Sequence, residues 1–151
     1  MRTEFAWHVF DKHMDQLIEV FEQSVPEKRN IIPAGFKNHI HWHLGHVLVV
    51  TQFHVLSLSE QPLVLPDSYQ ALFAYGTIPT AWEEEAPAWD TLMAQLKLHR
   101  EYLKETLKDR LGEPVKENFL KAETIGELIY ATSLHLFYHQ GVVYGMNNAL
   151  K

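Results

Sequence analysis

Hydrophobic residues recur at intervals of three and four along most of the 151-residue chain, the spacing that places them on one face of an α-helix. The pattern predicts four long helices, at about residues 3–24, 36–59, 86–111 and 124–150. No stretch alternates apolar and polar residues as a strand does, and no hairpin turn signal is present. The sequence therefore predicts an all-α protein.

Proline and glycine mark the ends of these helices. Pro26 follows the first, Pro62 and Pro66 follow the second, and Gly112 follows the third. Residues 124–127 read Thr-Ile-Gly-Glu, a capping box that opens the fourth helix. The long connection between the second and third helices has room for one short helix at about residues 67–74. Such spacing predicts one domain over residues 1–151, a four-helix bundle in up-down-down-up order with a long crossover between helices 2 and 3.

Composition narrows the choice of partners. The chain has no cysteine, so a transition-metal site would have to use histidine, carboxylate or water. A formal net charge of −6, without a block of basic residues, argues against a nucleic-acid partner. The N-terminal residues lack the pattern of a signal peptide, and polar residues interrupt the longest apolar stretch at 44–58. We therefore expect no membrane segment and a cytoplasmic location.

The ten histidines are an unusual excess, and three of them suggest a metal site. His135 and His139 are four residues apart, so they lie about one turn apart on the inward face of the fourth helix. His46 occupies the apolar stripe of the second helix, about halfway along it. If these two helices run antiparallel, the three rings meet at one depth and can hold a divalent ion with a coordination position left open.

Other interpretations of the histidines remain open. Each of the three can instead be a core histidine that is hydrogen-bonded to a neighbour. His43, and less readily His39, could replace His46 as a ligand if the second helix is rotated. His99 is expected in the core or as a group that supports the site. The remaining four are predicted to lie at the surface: His8, His13, His41 and His54.

Three segments carry a resemblance to a known family. The sequences NHIHWHLGH at 38–46, TIGEL at 124–128 and HLFYHQG at 135–141 resemble the DinB/YfiT-like superfamily. The resemblance covers nearly the whole chain and implies a four-helix bundle. It also implies a homodimer with one divalent ion, nickel or zinc, bound by His46, His135 and His139. The activities that the resemblance implies are metal-dependent hydrolysis and thiol (S-)transfer with low-molecular-weight thiols such as bacillithiol. It implies no DNA-binding residue.

Two functional hypotheses follow. The first is a metal-dependent hydrolase or thiol transferase that acts on a small-molecule substrate, with Tyr138, Gln140 and His99 as candidate supporting groups. Its catalytic residues and its substrate are not predicted. The second is a non-catalytic homodimeric bundle whose metal is structural or which binds a ligand. A fourth protein ligand to the metal would favour the second hypothesis.

Overall fold

A computed structural model of the chain describes residues 2–151 and shows five helices. The helices are α1 (Thr3–Glu22), α2 (Ile40–Gln52), α3 (Tyr69–Phe73), α4 (Trp89–Leu107) and α5 (Ile125–Ala149). Helix α3 is short, and the other four form the bundle. A π-helical turn, Phe53–Ser57, continues α2, and 3-10 turns lie at Pro26–Lys28 and Pro79–Ala81. Residues 2–151 contain no strand, only an isolated bridge between Pro114 and Thr124. The predicted all-α class is confirmed.

Ion pairs show that α1 and α4 run in opposite directions. Lys104 Nζ lies 2.6 Å from a carboxylate oxygen of Asp11, and Lys97 Nζ lies 2.9 Å from one of Glu22. The earlier residue of α1 therefore pairs with the later residue of α4.

Contacts between α1 and α5 show that these two helices run in the same direction. The rings of Phe5 and Tyr130 lie 6.4 Å apart, and the Asn147 amide donates to the Val20 carbonyl at 3.0 Å. Residue numbers rise together along the two helices, so α1 and α5 are parallel.

Helix α2 runs antiparallel to α5, because His43 contacts His139 while His54, in the π-helical turn that continues α2, contacts Thr132. Combined with the two pairings above, this gives the order up for α1, down for α2, down for α4 and up for α5. The predicted topology is therefore confirmed, and α3 lies in the crossover between α2 and α4.

The helix α2 is enclosed on nearly every side, because α3, α4 and α5 all pack against it. Only one residue of Ile40–Gln52 is not buried. The helix was predicted to begin at about residue 36, but it begins at Ile40. The His39 side chain accepts a hydrogen bond from the Trp42 amide and caps the first turn. No helix within residues 2–151 combines the length and apolar character that crossing a membrane requires.

Candidate metal centre

Three histidines converge between α2 and α5. One ring nitrogen each of His46, His135 and His139 lies within 4.8 Å of those of the other two. The Nε2 atoms of His135 and His139 are 3.0 Å apart, and the ring centroids of His46 and His139 are 4.8 Å apart. The antiparallel packing of α2 and α5 brings these rings to one depth, as the sequence predicted. They form a group that could hold a metal ion.

The ring of His46 is fixed by two contacts. Its Nδ1 donates a hydrogen bond to the carbonyl oxygen of Phe73, at 2.8 Å, and the Trp42 ring stacks on it at 4.4 Å and 14°. Because a neutral imidazole carries one proton, this bond leaves the Nε2 lone pair free. A hydrogen bond from the far ring nitrogen is the usual way in which proteins orient a metal-ligating histidine.

His139 is held in a comparable way by another histidine. The Nδ1 atoms of His43 and His139 lie 3.0 Å apart, so one of them donates and the other accepts. When His139 donates, its Nε2 lone pair is free on the side of His135. His43 therefore lies behind His139 as a hydrogen-bond partner and is not one of the three converging donors.

The donor set fits a divalent transition metal. Neutral imidazoles are ligands that suit zinc and nickel. Two nitrogens about 2.0–2.1 Å from one tetrahedral zinc ion lie about 3.3 Å apart, close to the 3.0 Å between the Nε2 atoms of His135 and His139. Nδ1 of His135 is buried without a hydrogen-bond partner among residues 2–151.

Burial keeps these rings neutral. It is the main reason that the pKa of His135 falls to about 3, and the neighbouring His46, His54 and His43 lower it further. Burial likewise lowers the pKa of His46 and, most strongly, that of His139. A metal competes with protons for imidazole nitrogen, so rings that stay unprotonated at neutral pH are prepared to bind one.

The predicted surface position of His54 is wrong. Its side chain is 7% exposed, and its ring lies 5.7 Å from that of His135. An ideal helix would place it about 80° around the axis from His46 at about 100° per residue. At that angle it still faces α5, where its Nδ1 lies 3.4 Å from Thr132 Oγ1, and the ring of Phe119 covers it at 5.6 Å.

The predicted surface position of His41 is also wrong. It faces away from His46 as expected, but two connecting segments and Trp89, the first residue of α4, cover it. Its Nε2 donates to the Pro87 carbonyl at 2.8 Å, and its Nδ1 lies 3.2 Å from Asn30 Oδ1. His13 is half-buried against Phe137 rather than at the open surface, with ring centroids 5.0 Å apart.

The remaining candidates are placed as follows. His8 is exposed, as predicted, and His39 serves as the cap of α2. His99 is buried and lines neither of the cavities that adjoin the site, so it belongs to the core. The ring of Tyr138 meets that of His139 edge-on at 5.0 Å and lines one cavity, whereas Gln140 lines neither.

Two cavities of different character reach the histidine group, and His46, His135 and Tyr75 line both. The polar cavity, of about 550 Å³, is lined in addition by polar groups that include Lys37, Asn38, Thr77, Tyr138, His43 and His139. The apolar chamber, of about 640 Å³, is lined in addition by Val49, Val50, Phe53, His54, Gln70, Ala74 and Phe119. The polar cavity therefore gives small molecules access to all three histidines, and the apolar chamber gives access to His46 and His135.

The fold and the three inward histidines on α2 and α5 define the protein as a helical bundle with a candidate metal centre. The sequence model of the DinB superfamily matches residues 2–143. The chain belongs to the DinB superfamily.

The fold is similar to that of a solved structure from Enterococcus faecalis, described as the conserved protein of locus. The TM-score is 0.72 at 15% sequence identity, over 99% of this chain and 98% of that one. At this identity the similarity concerns the fold. No curated protein matches the chain in sequence.

Proposed function

We propose that this protein is a metal-dependent enzyme, a hydrolase or a thiol transferase, with one zinc or nickel ion bound by His46, His135 and His139. The observation that carries the proposal is the convergence of three neutral imidazoles at a point that two cavities reach. Three protein ligands with access for a further molecule are typical of catalytic zinc sites. When bound, the ion supplies Lewis-acid chemistry that lowers the pKa of a coordinated water or thiol.

The chain's own residues have separable tasks in this proposal. The Phe73 carbonyl and the His43 ring fix the directions of the His46 and His139 imidazoles. The polar cavity offers a path for a polar cosubstrate such as a low-molecular-weight thiol, and Lys37 is the one charged residue among those of 2–151 that line it. Tyr138 stands in that cavity beside His139, where its hydroxyl can contact a bound molecule.

The rival hypothesis is a non-catalytic bundle with a structural ion. It needs a fourth protein ligand, and among residues 2–151 the converging group contains three donors. His43 is a close further imidazole, but its Nδ1 is directed at the Nδ1 of His139. These contacts favour the catalytic hypothesis.

The test is metal-dependent turnover. Protein purified without a metal-affinity tag is depleted of metal and reloaded with zinc or nickel. It is then assayed for hydrolysis of neutral esters and amides and for conjugation of small thiols to electrophiles. We expect turnover in one series that requires the metal, is lost in His139→Ala and is retained in His8→Ala. Metal uptake without turnover in either series would instead support the structural-ion hypothesis.

We further propose that the protein forms a homodimer through the outer face of α5. Leu134, Phe137 and Tyr144 are spaced by three and seven residues along this helix and are each more than half exposed. An apolar stripe of this kind is more typical of an interface than of a solvated surface.

A further inference from the structure

The wall of the apolar chamber carries no ionised side chain among the described residues. None of the ten residues that line it is Asp, Glu, Lys or Arg. Besides the two candidate ligands His46 and His135, its polar side chains are His54, Gln70 and Tyr75. Its volume of about 640 Å³ falls within the range of about 300–1,000 Å³ that is typical of small-molecule pockets.

The described residues that line the chamber therefore offer no ionic partner to a charged ligand. A carboxylate or ammonium group that entered the chamber would lose its hydration without gaining an ionic partner, which is costly. The polar cavity differs, because Lys37 lines it.

Aromatic rings form one side of the chamber. Phe53 and Phe119 lie nearly parallel, with centroids 6.2 Å apart and planes at 18°. Their side chains are 41% and 64% exposed although they line a cavity, and the His54 ring lies 5.6 Å from that of Phe119. Aromatic surfaces left open in this way gain contact area when a flat apolar molecule packs against them.

We propose that the apolar chamber binds an uncharged aromatic or similarly bulky apolar part of the substrate and holds it beside His46 and His135. The substrate class is therefore a neutral hydrophobic compound. Its reactive group lies at the histidine end, and any polar cosubstrate enters by the polar cavity. That the chamber serves a reaction rests on the function proposed above, whereas its selectivity for uncharged ligands does not.

The binding test uses metal-free protein, so that a carboxylate has no ion to coordinate. The probes are 2-acetylnaphthalene, which is neutral, and 2-naphthoate, which has a similar ring system and one negative charge. Fluorescence titration should show binding of the neutral probe, with the anion at least about tenfold weaker because its charge is desolvated. Equal or tighter binding of 2-naphthoate would overturn the proposal.

Substitutions in and next to α3 locate the binding site. Ala74, directly after α3, lines the chamber, so Ala74→Phe should fill part of it and weaken binding of the neutral probe by about tenfold or more. Ala71, within α3, is exposed and lines neither cavity, so Ala71→Phe should bind like the unmodified protein. Phe119→Ala, at an exposed position, provides a second variant and should weaken binding several-fold.

Zinc titration of the same variants separates the two proposals. Ala74→Phe should keep its zinc affinity, which shows that it is folded and that only the chamber has changed. If 2-acetylnaphthalene binds as expected but no metal-dependent turnover exists, the proposed function fails and the chamber assignment stands. If turnover exists but Ala74→Phe and Phe119→Ala bind the neutral probe unchanged, the chamber assignment is wrong.

Discussion

The ring of Phe73 lies so close to Gly45 that a Cβ atom at Gly45 would come within 2.3 Å of it. The missing side chain lets α3 seat against α2. This contact also places the Phe73 carbonyl 2.8 Å from Nδ1 of His46. Gly45 thus determines, through Phe73, how the adjacent candidate metal ligand His46 is oriented.

Gly45→Ala should therefore displace Phe73, break the hydrogen bond to His46 and weaken zinc binding by about tenfold or more. Overpacking at this contact should also cost about 1–3 kcal/mol of stability. Calorimetric zinc titration and thermal unfolding measure the two effects.

The matched control is Gly145→Ala on α5, where an added Cβ meets no atom within 4 Å. Replacing a helical glycine by alanine at such a site should stabilise the fold by about 0.5–1 kcal/mol. Its zinc affinity should be unchanged. Equal zinc affinities in the two variants would contradict the role assigned to Phe73.

Removal of the predicted ligands should have graded effects on metal binding. His135→Ala and His139→Ala should abolish tight binding, and His46→Ala should do nearly the same, because each removes one of three donors. The exposed His8 is the control, and His8→Ala should leave affinity unchanged. If none of the three variants changes the affinity, these side chains are ordinary core histidines.

His43→Ala should weaken metal binding by about 10–100-fold without abolishing it, since His43 holds the His139 ring from behind. His43→Gln, which can still accept a hydrogen bond, should recover part of the loss. Isothermal titration distinguishes these levels. Complete loss in His43→Ala, with normal binding in His46→Ala, would mean that His43 is the ligand.

His99 should make the fold sensitive to acid. Both of its ring nitrogens are buried without a hydrogen-bond partner among residues 2–151, and burial lowers its pKa from 6.5 to about 4. Between these values the unfolded chain binds the proton and the folded chain does not, so stability falls as the pH falls from 6.5 towards 4. The loss due to this group approaches about 3 kcal/mol at the lower end of that range.

His99→Leu should remove this part of the pH dependence and stabilise the metal-free protein at pH 7 by about 1–3 kcal/mol, because two unpaired polar atoms are lost. Urea unfolding at pH 7 and pH 5 measures both quantities. His8→Leu, at an exposed position, should change neither. A His99→Leu variant less stable than the parent at pH 7 would reveal a polar partner for this ring.

Light scattering at micromolar concentration should give the mass of a dimer. Leu134→Glu, on the outer face of α5, should produce a monomer that still binds zinc, because an unpaired charge would be buried in the interface. Leu98→Glu on α4 is the control, since Leu98 is exposed to a similar degree on another helix. A monomeric parent protein would remove the dimer proposal without affecting the metal centre.

The fold was predictable because spacing by three and four residues persists along each long helix, and because prolines separate the helices. The convergence of His46, His135 and His139 was predictable because all three lie near the middle of their helices on apolar stripes. Whether they bind a metal stays a prediction.

The errors concern side chains whose surroundings come from elsewhere in the chain. His41 is buried by the loop at Asn30 and by the segment that ends at Pro87, neither of which is visible in the periodicity of α2. His54 is covered by the ring of Phe119, which comes from a distant connection, and by Thr132 of α5. Phe119 lies on a connection that has no helical period, so its place on the chamber wall could not be inferred.

The ligand candidates come from helices that are far apart along the chain. About 90 residues separate His46 from His135, so no local turn can bring the two rings together during folding. A long loop must close, and α2 must dock against α5, before three nitrogens face one point. An ion bound there would not nucleate the structure in the way that closely spaced ligands do. It would bind only after the bundle has assembled, so its binding would report that folding is complete and would slow unfolding.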